Sequence, residues 1–168
     1  ESRLAPGSTL KASAYAGTRD VVQYLALTGA AATSSGGVVD LSRNFAGGNL
    51  QWRVDTSLAG APFSLTLGTD YDWMGETRKG FVNDFGVQGA LRRDEYDTVY
   101  SFDQYALAEW DFAERWQLSG GVRNVNVPFR IRDNYVTAQN PDDSGSARYQ
   151  AVNPVAGLAY RVTDTVVA

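Results

Sequence analysis

An all-β fold, an antiparallel up-and-down meander that forms part of a transmembrane β-barrel, is predicted by three observations. The first is alternation. In FSLTLGTDYDW (63–73), Phe63, Leu65, Leu67, Thr69, Tyr71 and Trp73 share one parity, and Ser64, Thr66, Gly68, Asp70 and Asp72 share the other. That period of two is a strand with one apolar and one polar face. The second is composition. The 168 residues include 17 Gly and 12% aromatics, and helical periodicity is scarce. The third is the rhythm of connections: tight turns near 59–62, 112–115 and 162–165, separated by long polar stretches. Short turns at one end and long loops at the other are the connectivity of outer-membrane barrels, periplasmic and extracellular respectively.

Six strands follow in order. The first spans roughly 8–27, longer than the usual strand of about 5–6 residues. TGAAATSSGG (28–37) is a small, flexible loop. The second lies within 38–58, clearest where Leu50, Trp52, Val54, Thr56 and Leu58 oppose Gln51, Arg53, Asp55 and Ser57. AGAP (59–62) is a turn, and the third strand occupies about 62–75. A long polar stretch, 76–101, reads as a structured loop or as strand extensions. The fourth strand is about 102–112 and FAER (112–115) is the next turn. The fifth runs 116–131. Its apolar parity changes from Trp116, Leu118 and Val122 to Val125, Val127, Phe129 and Ile131, which marks a bulge or the point where the strand leaves the apolar layer. A second polar loop, 132–149, leads to the sixth strand, 150–161, and to the turn VTDT (162–165). Phe63, Trp110, Phe112, Trp116 and Tyr160 sit near the short turns, as an interfacial aromatic girdle would.

Composition excludes several chemistries. The chain has no Cys and no His, so thiolate sites, Ser-His-Asp catalysis and the common His-ligated metals are out. A formal charge of −4 without a basic stripe speaks against nucleic acid as a partner. No signal-peptide pattern is visible and no apolar run is long enough for a helical span. The barrel reading puts Phe63, Leu65, Leu67, Tyr71 and Trp73 against lipid. It puts Ser64, Thr66, Asp70, Asp72, Arg53, Gln117 and Arg123 in a wet lumen. The non-membrane alternative is a soluble β-sandwich carbohydrate-binding module with Trp52, Trp73 or Trp110 as stacking platforms.

Three segments resemble TonB-dependent outer-membrane receptors of the siderophore-receptor type. They are AEWDFAERWQLSGGVRN (108–124), with Glu109, Trp110, Gly121 and Arg123; NPVAGLAYRVTDTV (153–166); and LAGAPFSLTLGTDYDWMGETRKGF (58–81). The resemblance covers roughly residues 50–168. It implies a bacterial outer-membrane location, no enzymatic activity and no cofactor. It also implies active uptake of a metal chelate, above all a ferric siderophore, with energy from the TonB complex acting through a plug domain. No plug and no energy-coupling box stand in these residues, so 1–168 is expected to be a partial barrel of about six strands, an internal fragment of a larger receptor. A complete small barrel, drawing two further strands from 38–46 and 85–92, is the lesser alternative.

Site expectations fall on the first polar stretch. Arg78, Lys79, Arg92, Arg93, Tyr96 and Tyr100 are the candidate ligand-binding residues of an extracellular loop, because guanidinium forks suit anionic oxygens and aromatics stack on flat ligands. The simpler reading is a solvated loop balanced by Glu76, Asp94, Glu95 and Asp97. The Asp142–Asp143 pair is a lesser candidate for holding Ca²⁺ together with loop carbonyls, although its spacing is not that of an EF-hand, and Asp70 with Asp72 has no second element converging on it for catalysis.

Overall fold

In a computed structural model the chain forms one antiparallel sheet, and residues 2–163 and 166–167 are described. Its strands, in order, are β1 (Ser2–Ala5), β2 (Ser8–Tyr24), β3 (Val38–Leu58), β4 (Ala61–Asp84), β5 (Val87–Ala113), β6 (Trp116–Asp133), β7 (Gly145–Thr163) and β8 (Val166–Val167). Each strand pairs with the next in sequence, so the topology is a plain meander. The turn expected at 162–165 lies partly outside the described residues. The short β1 was not foreseen.

β4 and β5 are far longer than expected at their upper ends, whereas β2 stops at Tyr24, short of the expected 27. β4 has 24 residues and β5 has 27. The stretch 76–101, expected as a loop or as extensions, is entirely extension. Its ladder runs on through Glu76↔Asp97 and Arg78↔Glu95 to a hairpin tip at Phe85–Gly86. Both tip residues have positive φ, 47° and 92°, as do Ala59 and Gly60 at the opposite end, 52° and 81°. Two consecutive positive φ values are the signature of a two-residue turn whose twist matches the flanking strands. The Asn83 carboxamide oxygen accepts from Gly86 N at 2.8 Å and braces the tip.

No bulge exists in β6. Gln104↔Asn124 and Val99↔Phe129 share one register, and the β6–β7 ladder is unbroken from Trp116↔Tyr160 to Ile131↔Gly145. The parity change at Val125 therefore marks a change in what each face meets. Real register shifts lie instead at Gly80–Asn83 on β4 and after Trp110 on β5.

Burial inverts the pattern of a water-soluble domain. Val38, the first residue of β3, is the one fully buried large side chain among the described residues. The buried polar side chains are Ser64, Thr66, Glu76, Glu95, Asp97 and Asp103, and the register places all six on one face. With a single layer, side chains are covered only by neighbours on their own face, so this face is the concave one. The convex face carries exposed Leu50, Trp52, Leu67, Tyr71, Phe102, Leu118 and Leu158. No second sheet covers it among the described residues, which removes the β-sandwich alternative.

Two aromatic belts bound this apolar face. Trp110 and Phe112 (ring centroids 5.7 Å apart) and Trp116 and Tyr160 (4.7 Å) lie by the short turns. Tyr71 and Tyr100 (6.5 Å), with Phe102, form the other belt. Trp110 and Tyr100 are ten residues apart on β5. That is about 34 Å along the strand and, at the usual tilt, about 24–28 Å in height, the thickness of the apolar band of an outer-membrane barrel.

Candidate functional site

The concave wall is a polar network built by cross-strand pairing. Arg123 Nη2 on β6 donates to Asp103 Oδ2 at 2.7 Å and Asp70 Oδ2 at 3.0 Å, and its guanidinium lies 5.8 Å from the Tyr105 ring centre. Arg53 reaches Asp55 (2.8 Å) and Glu109 (3.2 Å), and Ser64 donates to the same Glu109 oxygen at 3.1 Å. Arg43 donates to Glu76 at 2.7 Å. The Tyr15 hydroxyl donates to Asp72. Gln117 donates to Asp111 at 2.9 Å. The residues expected in a lumen, Asp70, Asp72, Arg53, Gln117 and Arg123, are all found here. A charged residue on such a wall keeps water on one side and a partner on the other, so its presence inside a membrane protein carries little cost.

One row of this wall is apolar. Gly17, Phe45, Met74, Val99, Phe129 and Ala147 are successive cross-strand partners from β2 to β7. Phe45 lies over Gly17, where a Cβ would meet its ring at 2.5 Å. Below the row the wall carries Asp72 and Asp70. Above it come Glu76 and Asp97, then Arg78 and Glu95.

The upper mouth is closed in by loop 25–37, which folds over the concave side. Gly37 N donates to Phe81 O and Asn83 N to Thr28 O, both at 2.8 Å. The Asn83 side chain holds Leu25 O at the same distance. A Cβ on Gly80 would collide with the Ser35 carbonyl, so glycine is what lets the loop sit against β4. Between this loop and β5 lies a cleft of about 200 Å³ lined by Ser34, Ser35, Arg92, Arg93, Glu95 and Asn140, among others. Arg92 Nη2 donates to Ala30 O at 3.1 Å, whereas its Nε is buried with no hydrogen-bond partner among the described residues. Arg93 Nε lies 2.7 Å from Glu95 Oε1, while Glu95 Oε2 and Asp97 Oδ1 are buried and unpartnered. Buried polar atoms without partners are rare, and they mark places where a water or ligand is accommodated.

The six residues expected on one extracellular loop are not brought together. Arg78 and Lys79 stand on β4, and Arg92, Arg93, Tyr96 and Tyr100 on β5. Ladder parity separates them: Arg78 and Arg93 point to the concave side with Glu95, and Lys79, Tyr96 and Tyr100 to the convex side. Arg92 occupies the register shift opposite Gly80–Phe81 and so joins Arg93 at the cleft. Sequence reasoning missed Ser34, Ser35 and Asn140, which two separate loops deliver to the mouth; nothing local in either segment signals this. The Asp142 carboxylate accepts from Ser144 N at 2.8 Å, and hydrogen bonding from Ser144 holds its pKa below the ordinary value; among the described residues no group of three or more carboxylates is placed to hold a metal ion.

A single sheet with an apolar convex face of bilayer height, a polar concave face and long connections at one end is the wall of a transmembrane β-barrel. The chain belongs to the family described as "TonB dependent receptor-like, beta-barrel", whose model matches residues 3–168. It is a bacterial outer-membrane protein, and the family is one of receptors and transporters rather than enzymes. Among solved structures, the fold is similar to the open form of the ferric-catecholate import receptor Fiu from E. coli K12, with a TM-score of 0.61 at 12% identity. The match covers 96% of this chain and 32% of that one, so the chain spans about a third of that receptor's length.

Proposed function

We propose that the chain is a partial wall of a larger TonB-dependent receptor that imports an anionic metal chelate, most specifically a ferric siderophore. In this reading a plug domain and the TonB complex supply gating and energy, and the open meander continues into further strands on both sides. The observation that carries it is the mouth cleft. Arg92 and Arg93, with Arg78 nearby on the same face, converge at the long-loop end of a water-facing wall. Guanidinium groups pair with anionic oxygens in two-pronged geometry and stack on flat rings. A ferric catecholate offers both, and the likeness to a ferric-catecholate receptor supports that class. Lys79, Tyr96 and Tyr100 stand on the opposite face and take no part.

The test uses the full-length receptor in detergent, titrated with a ferric catecholate while tryptophan fluorescence is followed. The Arg92→Ala, Arg93→Ala double variant is expected to bind at least about tenfold more weakly, the cost of losing charge-assisted hydrogen bonds worth about 1.5–3 kcal/mol each. Unchanged affinity would move the ligand elsewhere. Absence of binding by the unaltered receptor would remove the substrate class.

A further inference from the structure

Three buried carboxylates share the concave face at the floor of the mouth cleft. Asp97 on β5 lies directly opposite Glu76 on β4, and Glu95, two positions away on β5, lies opposite Arg78. Glu76 is 5% exposed, Asp97 7% and Glu95 8%, and the three are not grouped as metal ligands. Cations hold two of them. Arg43 on β3 donates to Glu76, and Arg93 on β5 lies 2.7 Å from Glu95 Oε1. Glu95 Oε2 and Asp97 Oδ1 are closed to solvent and have no hydrogen-bond partner among the described residues. The other elements supply none. β6 sets Ile131 opposite Asp97 and a further carboxylate, Asp133, opposite Glu95. Loop 25–37 contains no charged residue. The remaining charged groups at the cleft are Arg92 and Asp143.

Sealed oxygens restrict the possible donors. A water, a plug side chain or a substrate needs open surface to reach them, and a proton does not. Residues two apart on a strand face lie about 6.6–6.8 Å apart along it, which two carboxyl groups can span by leaning together. With one proton between them, the O–H of one carboxyl donates to the free oxygen of the other, and two orphaned acceptors become one hydrogen bond. Burial, and then the Glu95 charge, push the Asp97 carboxyl above its ordinary range. Glu76 adds to the push, and Arg93 and Arg78 oppose it. Asp97 stands three residues above Tyr100 on β5, beyond the apolar band, so the pair exchanges protons with the aqueous mouth.

We propose that Asp97 and Glu95 share one proton and thereby make anion binding at the mouth cleft pH-dependent, tight while the proton is held and weaker once it is lost. This regulation rests on the reading of the cleft as the substrate site. Glu95 lines the cleft beside Arg92 and Arg93. With the proton in place the pair carries one negative charge, which Arg93 offsets, and Arg92 is left for the anion. Without it a second negative charge stands by Arg93 and repels the anion. Because the proton is held above the ordinary carboxylate range, the tight state extends from acid up to the raised value and is lost as pH rises through it.

The experiment titrates the full-length receptor in detergent with the ferric complex of a hexadentate tris-catecholate at about pH 6 and about pH 8.5, and records the infrared stretch of protonated carboxyl groups at both. The unaltered receptor is expected to bind at least about threefold more tightly at the lower pH, the effect of one nearby charge across a partly wet cleft. Its spectrum should show a carboxyl band at the lower pH that fades at the higher one. Asp97→Asn, and Glu95→Gln, which offers Asp97 an amide donor, should each lack that band and bind equally at both pH values. Absence of the band, pH-independent binding by the unaltered receptor, or a pH dependence undiminished in both variants would overturn the proposal and leave the substrate reading in place. Binding at neither pH would overturn the substrate reading and the coupling with it. If one variant fails to fold, the other decides.

Discussion

Replacing Arg123 with alanine leaves Asp70 and Asp103 facing each other across the β4–β5 ladder with no cation between them. The two are direct cross-strand partners, and Arg123 now lies 3.0 Å and 2.7 Å from their nearer oxygens. Directly opposed side chains have Cβ atoms about 4.5–5.5 Å apart, and like charges so placed repel. Coulomb's law gives about 1 kcal/mol for such a pair in bulk water and about 4 kcal/mol at the effective dielectric of a protein surface. Asp103 is buried, whereas the Arg123 side chain is about half exposed at 48%, so screening pulls the value toward the lower limit. A loss of about 1–2 kcal/mol is expected. Urea unfolding of the full-length receptor in bilayers, followed by the loss of heat-modifiable migration on gels, measures it. Adding Asp70→Asn to Arg123→Ala should recover more than half of the loss, because the repulsion is gone. An Arg123→Ala variant as stable as the parent would refute the reasoning. So would a double variant no better than the single one, since the cost would then come from lost packing on Tyr105.

Other expectations concern the two faces and the loops. Leu67→Arg, near the middle of the apolar band, should destabilise the barrel by about 2–4 kcal/mol, whereas Gln51→Arg on the wet wall should cost under about 1 kcal/mol; unfolding in lipid vesicles compares them. Gly68→Val should cost about 1–3 kcal/mol, because its Cβ would run into the Tyr105 ring, and Tyr105→Ala in the same chain should return part of it. Asp97→Asn should raise the unfolding midpoint, because Asp97 is buried opposite Glu76, two positions from Glu95, with one oxygen unpartnered. Asp142, with its lowered pKa, orders the turn at 142–144 while ionised. That contribution holds above the ordinary carboxylate range and is lost as pH falls through the depressed value, so protease cleavage of loop 134–144 should increase only under strongly acidic conditions.

What the sequence made legible follows from the bilayer. Between the aromatic belts one face meets lipid and the other water, so residues 63–73 alternate visibly and the turn at 59–60 stands out against them. Above the belt both faces are wet. The ladder continues through ETRKG and RRDEY, but polar residues on both faces erase the alternation, and the extensions look like loop. The tip adds to this. Phe85 takes a positive φ that asparagine or aspartate usually supplies, so NDFG lacks the Asn-Gly signal of a hairpin. The bilayer explains only part of the parity change after Val125: Phe129 and Ile131 lie above the Tyr100 belt, whereas Val125 and Val127 face the concave side level with Asp103 and Ser101, below it. The site was legible as a set of residue types only. Which of Arg78, Lys79, Arg92 and Arg93 share a face depends on register, and the shift at Gly80–Phe81 is invisible without the partner strand.

The most direct test of the account is spin labelling of residues 63–73, one at a time, in the full-length receptor in bilayers. Accessibility to oxygen is read against accessibility to a water-soluble relaxation agent. The account predicts strict alternation: positions 63, 65, 67, 71 and 73 open to oxygen, and positions 64, 66, 70 and 72 open to the aqueous reagent or shielded by their neighbours on the wall. Odd positions closed to both reagents would place the apolar face in a protein core and contradict the transmembrane wall.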